Sequence, residues 1–244
     1  MCGRFVSVSP PDEVARYFDA LPPATEPLEP SWNVAPTDDA YVVLVDDAER
    51  RLAVHHWGLV PFWAKDPSVG SRMINARAEG LADKGAFKRA FRERRCIVPV
   101  DGFYEWQAIP GQKAKQPYFI HRPDDEPLAL AGLWEEWRGP DRSRDDRLRS
   151  TTIITTAANV TMAPLHDRMP VILPAASWAE WLDPDHTDVD LLSHLLVPAP
   201  PELLVLRPVG TEVGNVRNDG PHLIDAVEPA PTASDASLPF GDPP

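Results

Sequence analysis

Four short β-like segments follow one another in the middle of the sequence, and they constrain the fold more than any other feature. They are CIVPV, GFYEWQ, PYFIHR and LALAGLW, and they lie between residues 96 and 134. Turn-forming residues such as Pro110 and Gly111 separate them. Short strands joined by turns, with no helix between them, favour antiparallel pairing. The sequence therefore predicts an antiparallel sheet over this region.

The other predicted elements surround this sheet without alternating with its strands. Further strands are predicted at 41–45, 51–57, 151–156 and 203–209, and helices near 11–20, 83–95, 175–182 and 188–196. Strands and helices in separate groups favour an α+β fold over a doubly wound parallel sheet. We expect one domain over residues 1–225 and, from its composition, a disordered tail over 226–244.

Two segments are predicted to be irregular. The proline-rich stretch at 21–37 contains too many prolines for regular structure, and the stretch at 138–150 is dense in charge. Both are expected to run as loops.

Several classes of protein are disfavoured by composition. The chain has two cysteines, which cannot form a disulfide framework, and no spacing typical of a zinc site. Charged residues interrupt the first thirty positions, so no signal peptide is expected. The longest apolar stretches, such as 41–45, are too short to span a membrane. We expect a soluble, cytoplasmic protein without a metal or another cofactor.

The charge is distributed unevenly. The formal net charge is −13, which by itself argues against a nucleic-acid partner. The segment from Arg72 to Arg95, however, contains eight basic residues and only three acidic ones. This segment is compatible with one basic groove on an acidic protein, and equally with a solvated helix face rich in arginine.

Cys2 carries the first candidate chemistry. If Met1 is removed, a free α-amine lies two carbons from the thiol. A terminal amine has a pKa of about 7.7–8.0 and a lysine about 10.4, so the terminus is far more often neutral and nucleophilic at pH 7. The amine can form an imine with an aldehyde, and the thiol can close it into a thiazolidine. The alternative is a buried structural cysteine with Met1 retained.

Two further residues are candidates for proton transfer. Strand alternation in DGFYEW places Asp101, Phe103 and Glu105 on one face, where a carboxylate among aromatic rings suits a general acid or base. His166 lies in APLHDRMP between two prolines that fix its backbone, and imidazole is a proton shuttle at cellular pH. A surface glutamate and a structural histidine are the alternatives.

Aromatic and basic residues are interleaved between residues 57 and 77. Trp57, Phe62 and Trp63 precede Arg72, Asn75 and Arg77. Aromatic rings that stack on unpaired bases, beside arginines that bind phosphates, are typical of sites for single-stranded nucleic acid. The same aromatic residues also suit a hydrophobic core.

Together these motifs resemble a known family. MCGRF, WNVAP, WGLVPFW, INARAE, CIVPVDGFYEW, TTAAN, LHDRMPVIL and VGNVRN follow the order and spacing seen in the SOS response-associated peptidase family, whose members process abasic sites in DNA. The resemblance extends from Cys2 to about Ile224. It implies a barrel-like β core flanked by helices.

The resemblance also implies roles for individual residues. Cys2 would be the nucleophile through its amine and sulfur, Asn75 would orient the terminus and the opened sugar, and Glu105 and His166 would move protons. Residues expected to contact DNA are Arg4, Asn33, Trp63, Arg77 and Thr155.

The implied function is covalent capture of abasic sites in single-stranded DNA by a monomer. Self-removal of Met1, reversal of the crosslink and weak lyase activity are further expectations. Two alternatives stay open: an amidohydrolase with an N-terminal cysteine nucleophile, and a non-covalent binder of single-stranded DNA.

Overall fold

The computed structural model describes residues 2–139 and 147–229, which form a mixed α+β fold dominated by sheet. The strands are, in chain order, β1 (Phe5–Ser7), β2 (Ser31–Val34), β3 (Asp39–Asp46), β4 (Glu49–Trp57), β5 (Asn75–Arg77), β6 (Arg95–Val100), β7 (Gly102–Ala108), β8 (Lys115–His121), β9 (Leu128–Trp137), β10 (Leu148–Ala157), β11 (Arg168–Pro170) and β12 (Val205–Pro208). The α-helices are α1 (Pro11–Tyr17), α2 (Lys88–Glu93), α3 (Trp178–Leu182) and α4 (Val189–Ser193). The predicted fold class is therefore confirmed.

The described strands form two sheets. The smaller has the order β12-β8-β7-β1-β2, and the larger has the order β11-β10-β4-β3-β6-β9, with β5 beside β10. Because β9 also pairs with β10, five strands of the larger sheet close into a ring. The ring is not a true barrel. Two of its junctions are very short, since β3 and β6 share one residue pair and β4 and β10 share two.

Three apolar clusters follow from strand alternation. One joins the outer face of the ring to α1, α2 and α3. A second lies between the ring and the smaller sheet and contains Cys2, Phe5, Trp57, Phe103 and Met162; we call it the Cys2 cluster. The third covers the opposite face of the smaller sheet, around Tyr104. Cys2 therefore lies between the two sheets.

The structure contains short strands that the sequence analysis did not predict, and one predicted loop is partly strand. The segment at 21–37 contains a strand, β2, whose hydrogen-bonding partner β1 was not predicted either. Residues 148–150 begin strand β10 and do not belong to a loop. The rest of the charged segment at 140–146, and residues 230–244 of the predicted tail, lie outside the described residues.

The predicted basic helix at 83–95 is shorter than expected, because α2 ends at Glu93. Arg95 is buried, and burial lowers its pKa to about 10. Its guanidinium donates to the carbonyl oxygens of Phe91 and Arg92 at 2.9 and 2.7 Å, and to that of Trp181 at 2.6 Å. Arg95 therefore ties the end of α2 to α3 and is not part of a basic surface.

We expect Gly132→Ala to destabilise the ring. An added Cβ would lie 2.9 Å from the Cys96 sulfur, 3.0 Å from a Val98 methyl and 3.1 Å from the Thr152 carbonyl oxygen. Overpacking of this kind costs about 1–3 kcal/mol. Denaturant unfolding measures the change, and Gly85→Ala is the matched control because its Cβ would meet nothing within 4 Å. Equal stability of the two variants would contradict this packing.

A buried histidine predicts acid sensitivity. His55 is 1 % exposed, and within the described residues neither ring nitrogen has a hydrogen-bond partner. Burial, with a smaller contribution from the charge of Arg149, lowers the pKa of His55 to about 3. Below about pH 6.5 the unfolded chain binds a proton at this histidine, whereas the folded chain does not. The free energy of unfolding therefore falls as the pH drops.

The expected loss from this histidine between pH 7.5 and pH 5 is about 2 kcal/mol. His55→Leu should remove that part of the pH dependence in denaturant unfolding. His222→Gln, at an exposed position, is the control and should keep the wild-type slope. Identical slopes for wild type and His55→Leu would contradict the prediction.

Candidate active site around Cys2

Cys2 stands just before β1 and is completely buried in the Cys2 cluster. The ring of Phe5 packs on that of Trp57, with centroids 4.8 Å apart, within the same cluster. Burial, and after it the negative charge of Glu105, hold the pKa of the Cys2 thiol well above its ordinary value. The thiol is therefore protonated at neutral pH, and it needs a base before it can act as a nucleophile.

Asn75 holds the backbone of Cys2. Its side-chain Nδ2 donates to the Cys2 carbonyl oxygen at 2.7 Å. Strand β5, which carries Asn75, is fixed by parallel pairing with β10, where Asn75 faces Ile153. The Asn75 Oδ1 atom is buried, and among the described residues it has no hydrogen-bond partner. One end of the amide thus positions Cys2, and the other is an unused acceptor.

Glu105 lies on β7 and is buried. Its neighbour Phe103 belongs to the Cys2 cluster, whereas Tyr104 belongs to the cluster on the opposite face. The alternation predicted for DGFYEW is therefore confirmed. Strand alternation puts Glu105 on the same face of β7 as Phe103, and its negative charge contributes to the raised pKa of the Cys2 thiol.

His166 follows a tight turn that packs against the Cys2 cluster. The Asn159 side chain accepts from the Met162 N–H at 2.9 Å, and Met162 is buried in that cluster. The turn is also joined to β7, because Gln107 Nε2 donates to the Pro164 carbonyl oxygen at 3.4 Å. This hydrogen bond holds the segment that carries His166 beside β7, the strand that carries Glu105.

The His166 ring has two competing partners at one nitrogen. Nδ1 lies 3.0 Å from the Arg168 N–H, which it accepts when the ring is neutral. Nδ1 also lies 2.7 Å from Asp167 Oδ1, to which only a protonated Nδ1 can donate. Nδ1 therefore has a donor partner when it is bare and an acceptor partner when it carries a hydrogen, so the ring keeps a contact in either form.

Arg168, which the sequence analysis did not select, lies beside His166 and contacts it through its backbone N–H. Its guanidinium donates to both carboxylate oxygens of Glu79, at 3.0 and 2.9 Å, and to the Thr155 carbonyl oxygen at 2.6 Å. These hydrogen bonds lower the pKa of Glu79. The sequence offered one indication of this residue, because Arg168 lies two positions after the candidate His166 in LHDRMP.

The residues expected to contact DNA fall into two groups. Trp63 is 54 % exposed and Arg77 is also exposed, so both can reach a ligand. Arg4, Asn33 and Thr155 are buried. All three side chains are engaged in hydrogen bonds inside the protein.

Arg4 and Asn33 instead connect distant parts of the chain. Arg4 donates to Asn33 Oδ1 at 2.7 Å and to the Val213 carbonyl oxygen at 3.0 Å. Asn33 Nδ2 donates to the Asn218 carbonyl oxygen at 2.7 Å. The pair therefore anchors β1 and β2 to the segment at 213–218. In the same way, Thr155 Oγ1 donates to the Ala76 carbonyl oxygen at 3.5 Å and supports β5.

Two absences concern only the residues that the structure describes. In residues 2–139 and 147–229, no group of three or more histidine, cysteine, aspartate or glutamate side chains is placed to hold a metal ion. Over the same ranges, no helix combines the length and the apolar character needed to cross a bilayer.

Fold and site together define a mixed α+β protein in which Asn75 of β5 and Glu105 of β7 act on Cys2, near the start of the chain. The family model described as SOS response associated peptidase (SRAP) matches residues 1–216. The chain therefore belongs to this family.

Individual relatives agree with this assignment. The chain is 40 % identical over 228 residues to "Abasic site processing protein YoqW" of Bacillus subtilis, an alignment that covers 93 % of this chain and all of the relative. It is 32 % identical over 269 residues to "Abasic site processing protein HMCES" of Xenopus tropicalis, covering 93 % and 78 % of the two chains.

Solved structures share the fold. A protein from Bacteroides thetaiotaomicron superposes with a TM-score of 0.82 at 23 % identity, covering 93 % of this chain and 100 % of that one. A phage-related protein from Bordetella bronchiseptica superposes with a TM-score of 0.67 at 31 % identity, covering 85 % of this chain and 94 % of that one.

Proposed function

We propose that the protein processes abasic sites, and that it captures the ring-opened aldehyde of such a site in single-stranded DNA as a thiazolidine on Cys2. Removal of Met1 exposes the α-amine required for this reaction. The names of the relatives support abasic-site processing. The observation that carries the proposal is the convergence of Asn75 and Glu105 on Cys2, through a 2.7 Å hydrogen bond to its carbonyl oxygen and an electrostatic effect on its thiol.

The reaction has two bond-forming steps. The amine nitrogen adds to the aldehyde carbon, and loss of one water gives an imine. The thiol sulfur then adds to the imine carbon while the nitrogen takes a proton, which closes the five-membered ring. The balance is aldehyde plus aminothiol to thiazolidine plus water, with no redox change. A lysine would stop at the imine, which hydrolyses readily.

Glu105 is the base for the second step in this proposal. The buried Cys2 thiol is protonated, so its sulfur cannot attack until the proton leaves. The carboxylate on the same side of the sheet is suited to accept that proton. Before the first step, Glu105 in its acid form would donate a proton to the sugar ring oxygen as the ring opens.

Asn75 and His166 have supporting roles. The unused Oδ1 of Asn75 is a buried acceptor for the terminal amine or for a sugar hydroxyl. His166 Nδ1 has a partner whether or not it carries a hydrogen, which suits proton transfer during imine formation and reversal of the crosslink. Arg77 and Trp63 would contact the flanking strand by charge and by stacking.

Three subsidiary activities belong to the same proposal. They are removal of Met1 by the protein itself, reversal of the thiazolidine, and weak lyase cleavage through the imine. Each would use Cys2 with Glu105 or His166. Removal of Met1 and reversal of the thiazolidine each also consume one water.

The test is incubation of the protein with single-stranded DNA that carries one abasic site, followed by denaturing electrophoresis. We expect a band that resists denaturation with the lesion and none with undamaged DNA. Loss of the complex in detergent would favour non-covalent binding. Turnover of a small amide without a stable complex would favour the N-terminal-nucleophile amidohydrolase.

A further inference from the structure

A groove of about 300 Å³ is lined by Phe62, Arg89, Arg94, Glu136 and Arg138, none of which belongs to the Cys2 site described above. We call it the Arg89 groove. Two of its arginine side chains are open to solvent, with exposed fractions of 46 % for Arg89 and 53 % for Arg138. It is a basic feature of a chain whose net charge is −13.

Aromatic rings hold the groove's guanidinium groups in place. Arg89 lies over the ring of Phe62 at 5.1 Å, and Arg94 lies over the ring of Trp134 at 5.1 Å. Arg149 contacts the same tryptophan at 5.9 Å. A guanidinium stacked by its face presents its N–H edge to a ligand, which is the geometry for binding a phosphate.

The acidic residues around the groove leave it with an excess of positive charge. Glu93 pairs with Arg89 at 3.1 Å, Glu135 pairs with Arg94, and Glu136 pairs with Arg138 at 2.7 Å and with Arg149 at 3.5 Å. Four arginines thus share three carboxylates. Each arginine has five N–H groups, and these ion pairs leave donors for an additional anion.

The groove is linked to the Cys2 cluster by a short stretch of chain. Trp57 belongs to the Cys2 cluster, and Phe62 lines the groove five residues later. Five residues span at most about 18 Å. The exposed ring of Trp63 follows directly, and the stretch is fixed because the Trp137 indole N–H donates to the Ala64 carbonyl oxygen at 2.7 Å.

We propose that the Arg89 groove binds backbone phosphates of the single-stranded DNA that flanks the lesion, on the side of Trp63. This inference rests on the proposed function for the identity of the strand. Phosphate is the ligand that edge-presenting arginines bind in pairs of hydrogen bonds. Five residues of chain join the groove, at Phe62, to Trp57 of the Cys2 cluster.

The test is the salt dependence of non-covalent binding, measured by fluorescence anisotropy. The probe is a long single-stranded oligonucleotide with a tetrahydrofuran abasic analogue, which has no aldehyde. Each lost phosphate contact reduces the slope of log K against log salt by about 0.7, so Arg89→Gln with Arg138→Gln should reduce it by about 1.4. The double variant should bind a short oligonucleotide that ends at the lesion as wild type does.

Arg16→Gln with Arg51→Gln is the matched control, because these surface arginines also pair with carboxylates, Asp12 and Glu49, away from the groove. This control should keep the wild-type slope. An unchanged slope in the groove variant, or an equal reduction in the control, would overturn the proposal. So would an equal reduction on undamaged duplex DNA, because the site would then be a general duplex contact.

The covalent reaction is scored separately. At saturating abasic DNA, the groove variant should still give the full yield of denaturation-resistant complex, since its Cys2 site is intact. If wild type forms no such complex while the slope still changes, the proposed function fails and the groove assignment to single-stranded DNA stands.

Discussion

Replacement of Cys2 by alanine is expected to abolish the denaturation-resistant complex with abasic DNA while leaving the terminal amine able to form an imine. Without the sulfur, the imine has no ring to close and hydrolyses. Borohydride added during the reaction should therefore trap a Cys2→Ala adduct that is absent without the reductant. Gel electrophoresis with and without borohydride measures both outcomes and separates the role of nitrogen from that of sulfur.

Cys96→Ala is the matched control. Cys96 is the second buried free cysteine among the described residues, and it contacts Thr151 inside the ring. Burial raises the pKa of its thiol to about 12, so Cys96 is equally protonated at neutral pH. The control should crosslink like wild type. A stable complex with Cys2→Ala, or its loss with Cys96→Ala, would contradict thiazolidine formation on Cys2.

The second large effect is expected from Glu105→Gln. The amide has nearly the shape of the carboxylate but cannot take the thiol proton, so crosslinking should slow by about 10²- to 10⁴-fold. The measurement is a time course at saturating abasic DNA. Because the nucleophile is intact, the variant should still approach the wild-type yield after long incubation.

Glu49→Gln, at an exposed position of β4, controls for the loss of one negative charge and should react at the wild-type rate. A tenfold change in rate corresponds to about 1.4 kcal/mol in the activation free energy. If Glu105→Gln reacts within about threefold of the wild-type rate, Glu105 does not accept the thiol proton. Thermal unfolding of both variants separates this result from a loss of fold.

The local sequence pattern predicted the structure correctly where a single strand or a single turn determines it. The alternation of DGFYEW placed Phe103 and Glu105 on one face, and the structure has Phe103 in the Cys2 cluster and Tyr104 on the opposite side. Likewise, 41–45 and 51–57 fall within β3 and β4, which form a regular antiparallel pair. These features depend on neighbours only a few residues away.

Features set by distant partners could not be predicted. Strand β2 exists because β1 supplies its hydrogen bonds, and nothing within the proline-rich 21–37 segment indicates that pairing. An arginine is usually exposed, yet Arg4 and Arg95 are both buried. Each donates to a carbonyl oxygen far along the chain, that of Val213 for Arg4 and that of Trp181 for Arg95. A sequence pattern records periodicity, whereas these contacts depend on the completed topology.

The full burial of Cys2 sets an order of events during biosynthesis. Its neighbours in the fold are encoded far downstream, and Met162 is the last member of the Cys2 cluster before β11. At about 5–20 residues per second, the ribosome needs roughly 8–30 s to reach that residue after making Cys2. Throughout that interval the residues that bury Cys2 are still incomplete, so the nascent terminus stays accessible until the last of them has been made.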